Sequence, residues 1–261
     1  MKLLIAIILT FFSFSLMGQA TSGTVDISVT TLDNNAKYHP DHVLAIWIED
    51  DAGAFVKTLK KMGNGRDNYL LTWNAKSGGS TTDAITGPTL STHTTHNISW
   101  DCSNTSEGVV EDGSYAVRVE YTSANSQGPI TTINFIKAAD EFTFQPANET
   151  YFIDMDLVYT PGSTTGIDAE AVSYKLSAYP NPASEQVSIN MTIPSERSTS
   201  IKIYQSDMRL VNVLWEGSLS AGDHRFIWNL SSSNGRKVAA GTYFLVVNGT
   251  NHLSTRQIIV K

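Results

Sequence analysis

The side chains best able to do chemistry in this sequence are four histidines set in two His-x-x-His pairs, His39 with His42 and His93 with His96, together with a carboxylate at Asp83. Imidazoles with a carboxylate are the donor set of zinc and other first-row transition ions. Strand geometry argues against either pair chelating, because residues three apart in an extended chain point to opposite faces. Only a turn would bring the rings of one pair together; Pro40 and the Thr-rich run around His93 permit one. The expectation is therefore solvated loop histidines, no bound metal and no cofactor. A metal-binding or redox-accessory envelope protein using these histidines is the alternative reading.

Other chemistry finds less support. There is no Gly-x-Ser-x-Gly elbow to expose a nucleophilic serine. Glu49, Asp50 and Asp51 fall together where a turn would leave them solvated, and Gly63-Asn64-Gly65 precedes no helical pattern that could hold a phosphate. The one cysteine, Cys102, cannot form an intramolecular disulfide. With 25 acidic and 18 basic residues the formal charge is −7, and no Lys/Arg cluster is present, which excludes nucleic acid as the expected partner. The sequence reads as a non-enzyme. If it binds something, Tyr69 and Trp73 offer aromatic faces among the polar groups of Arg66, Asp83 and His93. Trp47, in the run VLAIWIE, is apolar on both sides and reads as core.

The elements that must position these residues are organised around a unit that occurs twice. HNISWDCSNTSEGVVEDGSYAVRVEY runs from His96 to Tyr121, and HRFIWNLSSSNGRKVAAGTYFLVV from His224 to Val247. Each has an apolar strand ending in Trp, a polar turn, and Gly-x-Tyr opening an alternating strand. Trp100 matches Trp228, Gly113 matches Gly241 and Tyr115 matches Tyr243, each 128 positions apart, whereas Gly108 and Gly235 differ by 127. Gly113 and Gly241 are expected to supply a positive φ or a bulge at strand entry. Trp100 and Trp228 are expected to be core plugs, one in each of two hairpin-like units. A second repeated piece is a hairpin, Val43 to Leu59 in the first half and SIKIYQSDMRLVNVLWEGSL in the second.

From hairpin to Trp unit, Leu59 to His96 spans 37 positions but Leu214 to His224 only 10, so the first half carries about 27 additional residues. The segment from Lys60 to Thr95 that contains them is expected to include a small strand, Asn68 to Trp73, and to hold whatever recognition site exists. A short turn in place of Gly63 to Thr89 should then leave a folded protein that no longer binds.

The fold class expected is all-β, two tandem immunoglobulin-like β-sandwiches joined by a flexible linker after a cleaved signal peptide. Residues 1–20 carry Lys2, an apolar run from Leu3 to Phe12, and Gly18, Gln19 and Ala20, the outline of a secretory signal. No later segment is long and apolar enough to span a membrane as a helix. The first domain is placed at 21–160, the Gly/Ser/Thr-rich linker at 161–173 and the second domain at 174–261, with two independent cores.

The C-terminal part resembles the type IX secretion system type A sorting domain of the Bacteroidota. The resemblance rests on Tyr179-Pro180-Asn181-Pro182, the hairpin around Met208-Arg209-Leu210, Gly241-Thr242-Tyr243, and the closing LSTRQIIVK up to Lys261. It implies transfer by the type IX machinery to the cell surface or medium, usually followed by removal of the domain, with surface polysaccharide or an envelope protein as candidate partner. The first part resembles DUF2271, a family of predicted periplasmic proteins, through His39-Pro40, VLAIWIEDDAGAFVKTL, Asp83-Ala84-Ile85-Thr86-Gly87-Pro88, and Trp100-Asp101 with Asp112-Gly113-Ser114-Tyr115. That resemblance implies no reaction. Both domains also resemble the immunoglobulin-like module of flagellar hook-capping proteins.

Overall fold

In the computed structural model, residues 19–162, 176–249 and 252–261 are described. Residues 1–18 of the expected signal peptide and 163–173 of the expected linker lie outside them. The first domain contains β1 (Gly23–Thr31), β2 (Val43–Asp50), β3 (Phe55–Met62), α1 (Leu71–Ser77), β4 (Ile85–Gly87), β5 (Thr95–Trp100), β6 (Gly113–Thr122), β7 (Ile130–Lys137), β8 (Phe142–Phe144) and β9 (Phe152–Pro161). Its sheets run β5-β1-β9-β8 and β4-β3-β2-β6-β7. The second domain contains β10 (Ser177–Tyr179), β11 (Val187–Ile193), β12 (Arg197–Gln205), β13 (Leu210–Leu219), β14 (Gly222–Trp228), β15 (Gly241–Gly249) and β16 (His252–Val260), in sheets β10-β11-β14 and β13-β12-β15-β16.

Six strands correspond one to one. β1, β2, β3, β5, β6 and β7 pair with one another as β11, β12, β13, β14, β15 and β16 do. The strand flanking this set differs in origin, since β9 follows the set and lies beside β1, whereas β10 precedes it and lies beside β11.

The repeated Trp unit is a crossover between sheets rather than a hairpin, because β5 and β6, like β14 and β15, belong to opposite sheets. That geometry lets Trp and Tyr meet across the sandwich, with ring centroids 5.6 Å apart for Trp100 and Tyr115 and 5.2 Å for Trp228 and Tyr243. Each indole N–H donates to a carbonyl three residues on, Ser103 at 2.8 Å and Ser231 at 2.9 Å. Each Tyr hydroxyl donates to the carbonyl four residues back, Glu111 and Ala239. The turns superpose at a uniform offset of 128: Glu107 at φ 62° occupies the place of Gly235 at φ 78°, and Cys102 at 59° that of Leu230 at 51°. Gly108 is thus not the counterpart of Gly235. Of the two strand-entry glycines, Gly241 has the positive φ and Gly113 does not.

The additional residues of the first domain do not form the expected strand. Asp67–Tyr69 is a 3-10 turn and α1 follows, with Gly78 left-handed at its C-terminus. Helix wins locally because the Glu120 carboxylate accepts the Thr72 and Trp73 backbone N–H groups at 3.2 and 2.8 Å, satisfying donors that a first turn leaves free. α1 then carries the chain back so that β4 pairs parallel to β3. Its buried face completes a cluster of Val43, Ala45, Trp47, Leu70 and Trp73 on the outside of β2. This explains why VLAIWIE is apolar on both sides: its inner face meets the sandwich core and its outer face meets the helix.

The two cores are not separate. On β15, Tyr243, Leu245 and Val247 face the second core, while Phe244 and Val246 belong to the cluster of the first domain. Phe244 lies 4.9 Å from Phe142 and 5.4 Å from Phe144, ring to ring. Leu253 joins the same cluster, and Arg256 approaches Asp140 at 3.6 Å. The alternating apolar pattern of β15 marks one buried face; the second is covered only because the domains dock.

Candidate functional site

Strand polarity sorts the loops of the first domain into two ends. The pairings Val43 with Thr122, Leu44 with Met62, Thr30 with Thr95 and Thr31 with Phe152 place the loops 32–42, 63–70, 88–94, 123–129 and 145–151 together. This end is distal to the second domain, which is contacted by residues of 139–144 at the opposite end.

Three of the four loop histidines assemble there, in a combination that neither His-x-x-His spacing indicates. His42 exchanges both backbone hydrogen bonds with Leu90, which draws the 88–94 loop across it. The His93 ring consequently stacks on the His42 ring, centroids 3.8 Å apart and planes 7° apart, with the edge of Tyr121 against both. His96, on β5, is buried nearby, with Nδ1 3.4 Å from the Lys60 ammonium. The expectation of solvated histidines is corrected for these residues, since His42 is 0% and His96 2% exposed and the His93 ring is half-buried. His39 remains as expected, exposed and paired with Asp33 at 3.1 Å. Asp83 stays apart as well, facing Lys57 at 3.7 Å.

The binding candidates also divide. Trp73 is 2% exposed, with its indole N–H donated to Thr58 Oγ1 at 3.0 Å, so it is core and not a platform. Arg66 lies at the distal end with its guanidinium 4.4 Å from the centroid of the Tyr38 ring. Asn125 donates to the Tyr38 hydroxyl at 3.1 Å. Tyr69 is half-buried in the 3-10 turn. Beside them an open groove of about 720 Å³ is lined by Asn34, Gln127, Ile130, Glu149 and Tyr151 among others. Sequence reasoning missed Tyr38, Asn34 and Tyr151 because no motif marks them; counting strand directions to find which connections share an end was the available signal.

Electrostatics keep the assembled imidazoles neutral. Burial pushes His93 down to about 4, with the neighbouring His42 adding to the effect and Asp33 opposing it. His96 falls to about 4 through burial and then the Lys60 charge, and burial lowers His42. The unfolded chain takes up these protons near the ordinary histidine value, whereas the folded chain does not until about pH 4. Stability contributed by the neutral rings is therefore present above about pH 6.5 and is lost as pH falls toward 4. Glu120, whose carboxyl is raised by burial, acts in the opposite direction. Denaturant midpoints should therefore fall as pH is lowered from 7 to 4. His93→Gln should flatten that slope, and an unchanged slope would exclude the ring as its source.

Residues 23–149 match the family model described as DUF2271, predicted periplasmic protein, and residues 177–261 match that of the secretion system C-terminal sorting domain. No curated protein matches the chain. Among solved structures, PorZ, described as an essential bacterial surface component of the type-IX secretion system of Porphyromonas gingivalis, is 19% identical at a TM-score of 0.26. Latent PorU of the same organism is 14% identical at a TM-score of 0.28. The first match covers 41% of this chain and 14% of PorZ, the second 95% of this chain and 19% of PorU, so the chain spans only a small part of the length of either.

Proposed function

For an exported type IX cargo protein that joins a DUF2271 domain to a C-terminal sorting domain, we propose that the first domain is a non-enzymatic binding module, its partner a surface polysaccharide or an envelope protein. The observation that carries this reading is the distal loop end. Five loops converge there, away from the sorting domain, and present the Arg66–Tyr38 stack beside an open groove. Polar groups around an aromatic face on a rigid sandwich suit recognition more than turnover. Cys102 also fits a non-catalytic role: the buried thiol is pushed up to about 12 and stays protonated.

The test is capture of cell-surface glycans and envelope proteins by the exported chain. Tyr38→Ala with Arg66→Ala should abolish capture while leaving the fold and export unchanged. Capture that survives this double substitution would move the site elsewhere, and turnover of a captured molecule would refute the non-enzymatic reading.

Export depends on the sorting domain, which addresses the chain to the type IX machinery. Removing Tyr174 to Lys261 should hold the protein in the periplasm. Because Phe142 and Phe144 lose their cover with Phe244, the truncated domain should also bind an apolar dye such as ANS more strongly than the full chain. Its normal appearance in the medium or on the cell surface would contradict the sorting role of this domain.

A further inference from the structure

The distal histidines are built unlike a group that merely fills space. His42, His93 and His96 each have Nε2 buried without a hydrogen-bond partner in the protein. A buried ring nitrogen left unmatched is unfavourable, so three in one cluster require a reason. The other nitrogen is occupied in every case. His42 Nδ1 lies 2.9 Å from the Pro40 carbonyl and can only donate to it, which makes Nε2 the lone-pair atom. His93 Nδ1 is 3.1 Å from Thr31 Oγ1. Tying Nδ1 to a backbone or side-chain oxygen while Nε2 stays free is how metal-ligating histidines are held.

His96 differs in a telling way. The Lys60 ammonium donates toward its Nδ1, so the proton sits on Nε2 and the third ring is held in the non-ligating tautomer. Lys60 has no carboxylate partner among the described ion pairs. As the side chains stand, no three ligating groups among the described residues surround a point that could hold a metal ion. Stacked rings direct their in-plane lone pairs side by side rather than at one another. Convergence on one ion would require two movements, rotation of the half-buried His93 ring out of the stack and withdrawal of the Lys60 side chain from His96.

We propose that His42, His93 and His96 form a binding site for a borderline transition-metal ion such as Zn²⁺, Co²⁺ or Cu²⁺, closed by rotation of His93 and gated by Lys60. All-imidazole ligation selects this class over Mg²⁺ or Ca²⁺, which require oxygen donors. The proposal rests on the binding-module reading and names an ion as one ligand of the same end. Lys60 is a positioning residue: it touches no metal and acts by fixing the tautomer of His96 and by placing a like charge beside the ion.

The test titrates the metal-stripped, full-length exported chain with Co²⁺, followed by its visible d–d bands, and with Zn²⁺ in competition. One equivalent should bind. His93→Gln and His42→Gln should weaken binding by at least about tenfold, as disruption of metal-site residues generally does, while His39→Gln leaves it unchanged. Lys60→Met should tighten binding by about tenfold, a direction that adventitious surface binding would not show. Should His42→Gln fail to fold, His93→Gln carries the test alone, because its ring is only half-buried. Absence of saturable binding, binding indifferent to His93→Gln, or equal loss in His39→Gln would overturn the proposal. Glycan or protein capture by the same metal-free sample is scored separately, so failure of the metal site leaves the partner reading standing, and the reverse.

Discussion

Trp73→Ala is expected to destabilise the first domain by about 3 to 5 kcal/mol, the usual effect of emptying a large aromatic site in a packed core. Replacement of Gly63 to Thr89 by a short turn should then leave no native domain at all. That excision removes Leu70 and Trp73 from the outer face of β2, exposes Trp47, and strips the buried Glu120 carboxylate of the two helix N–H groups that solvate it. Loss of those two hydrogen bonds to the carboxylate and of the apolar cover on β2 is large against a total stability of roughly 5 to 15 kcal/mol for an ordinary domain. Gly63 itself, at φ 102° and packed against Val43, occupies a conformation that a side chain would strain. Circular dichroism and a thermal melt of the excised protein decide the matter. A cooperative melt close to that of the intact domain would restore these residues to the status of dispensable loop.

The second large effect is expected at the paired tryptophans. Trp100 is 1% exposed and Trp228 0%, and each alone should cost its domain about 3 to 5 kcal/mol on truncation to alanine. The shared offset of 128 makes the two substitutions equivalent experiments in one chain. Their consequences should not stay confined, however, because Phe244 is the sequence neighbour of Tyr243, which touches Trp228, and its own ring packs on Phe142 and Phe144. Calorimetry of the intact chain should show coupled transitions, with Trp228→Ala lowering both and Phe244→Ser separating them. Two transitions already independent in the unaltered chain would mean that the docked face contributes nothing to stability. An unaltered melt after either Trp substitution would remove that Trp from the core.

Much of the architecture was legible in order along the chain. The alternation that follows Gly-x-Tyr is a property of neighbouring residues, and in β6 it turns Tyr115, Val117, Val119 and Tyr121 inward because period two admits one solution. Duplication did the rest: Trp-turn-Gly-x-Tyr seen twice implied two sandwiches without knowledge of any contact. Both domains and the repeated core tryptophans follow from such local patterns. The role of Asn68 to Trp73 did not, because helix was chosen there by a carboxylate 47 positions away from the backbone group it accepts.

What chemistry the histidines can reach was a tertiary decision for the same reason. The sequence by itself determined that His39 and His42, or His93 and His96, could not chelate as strand pairs, and that the apolar runs around them would build sheets. It left open which loops share an end, since that depends on strand pairing across the sandwich rather than on spacing. The His42 bridge to Leu90 joined two distant loops and stacked the half-buried His93 on the buried His42, strand pairing buried His96 beside Lys60, and His39 was left in solvent. Local sequence sets which groups are present and which way a strand faces. Burial, tautomer and the meeting of side chains from separate loops arise only when the sheets close and water is excluded.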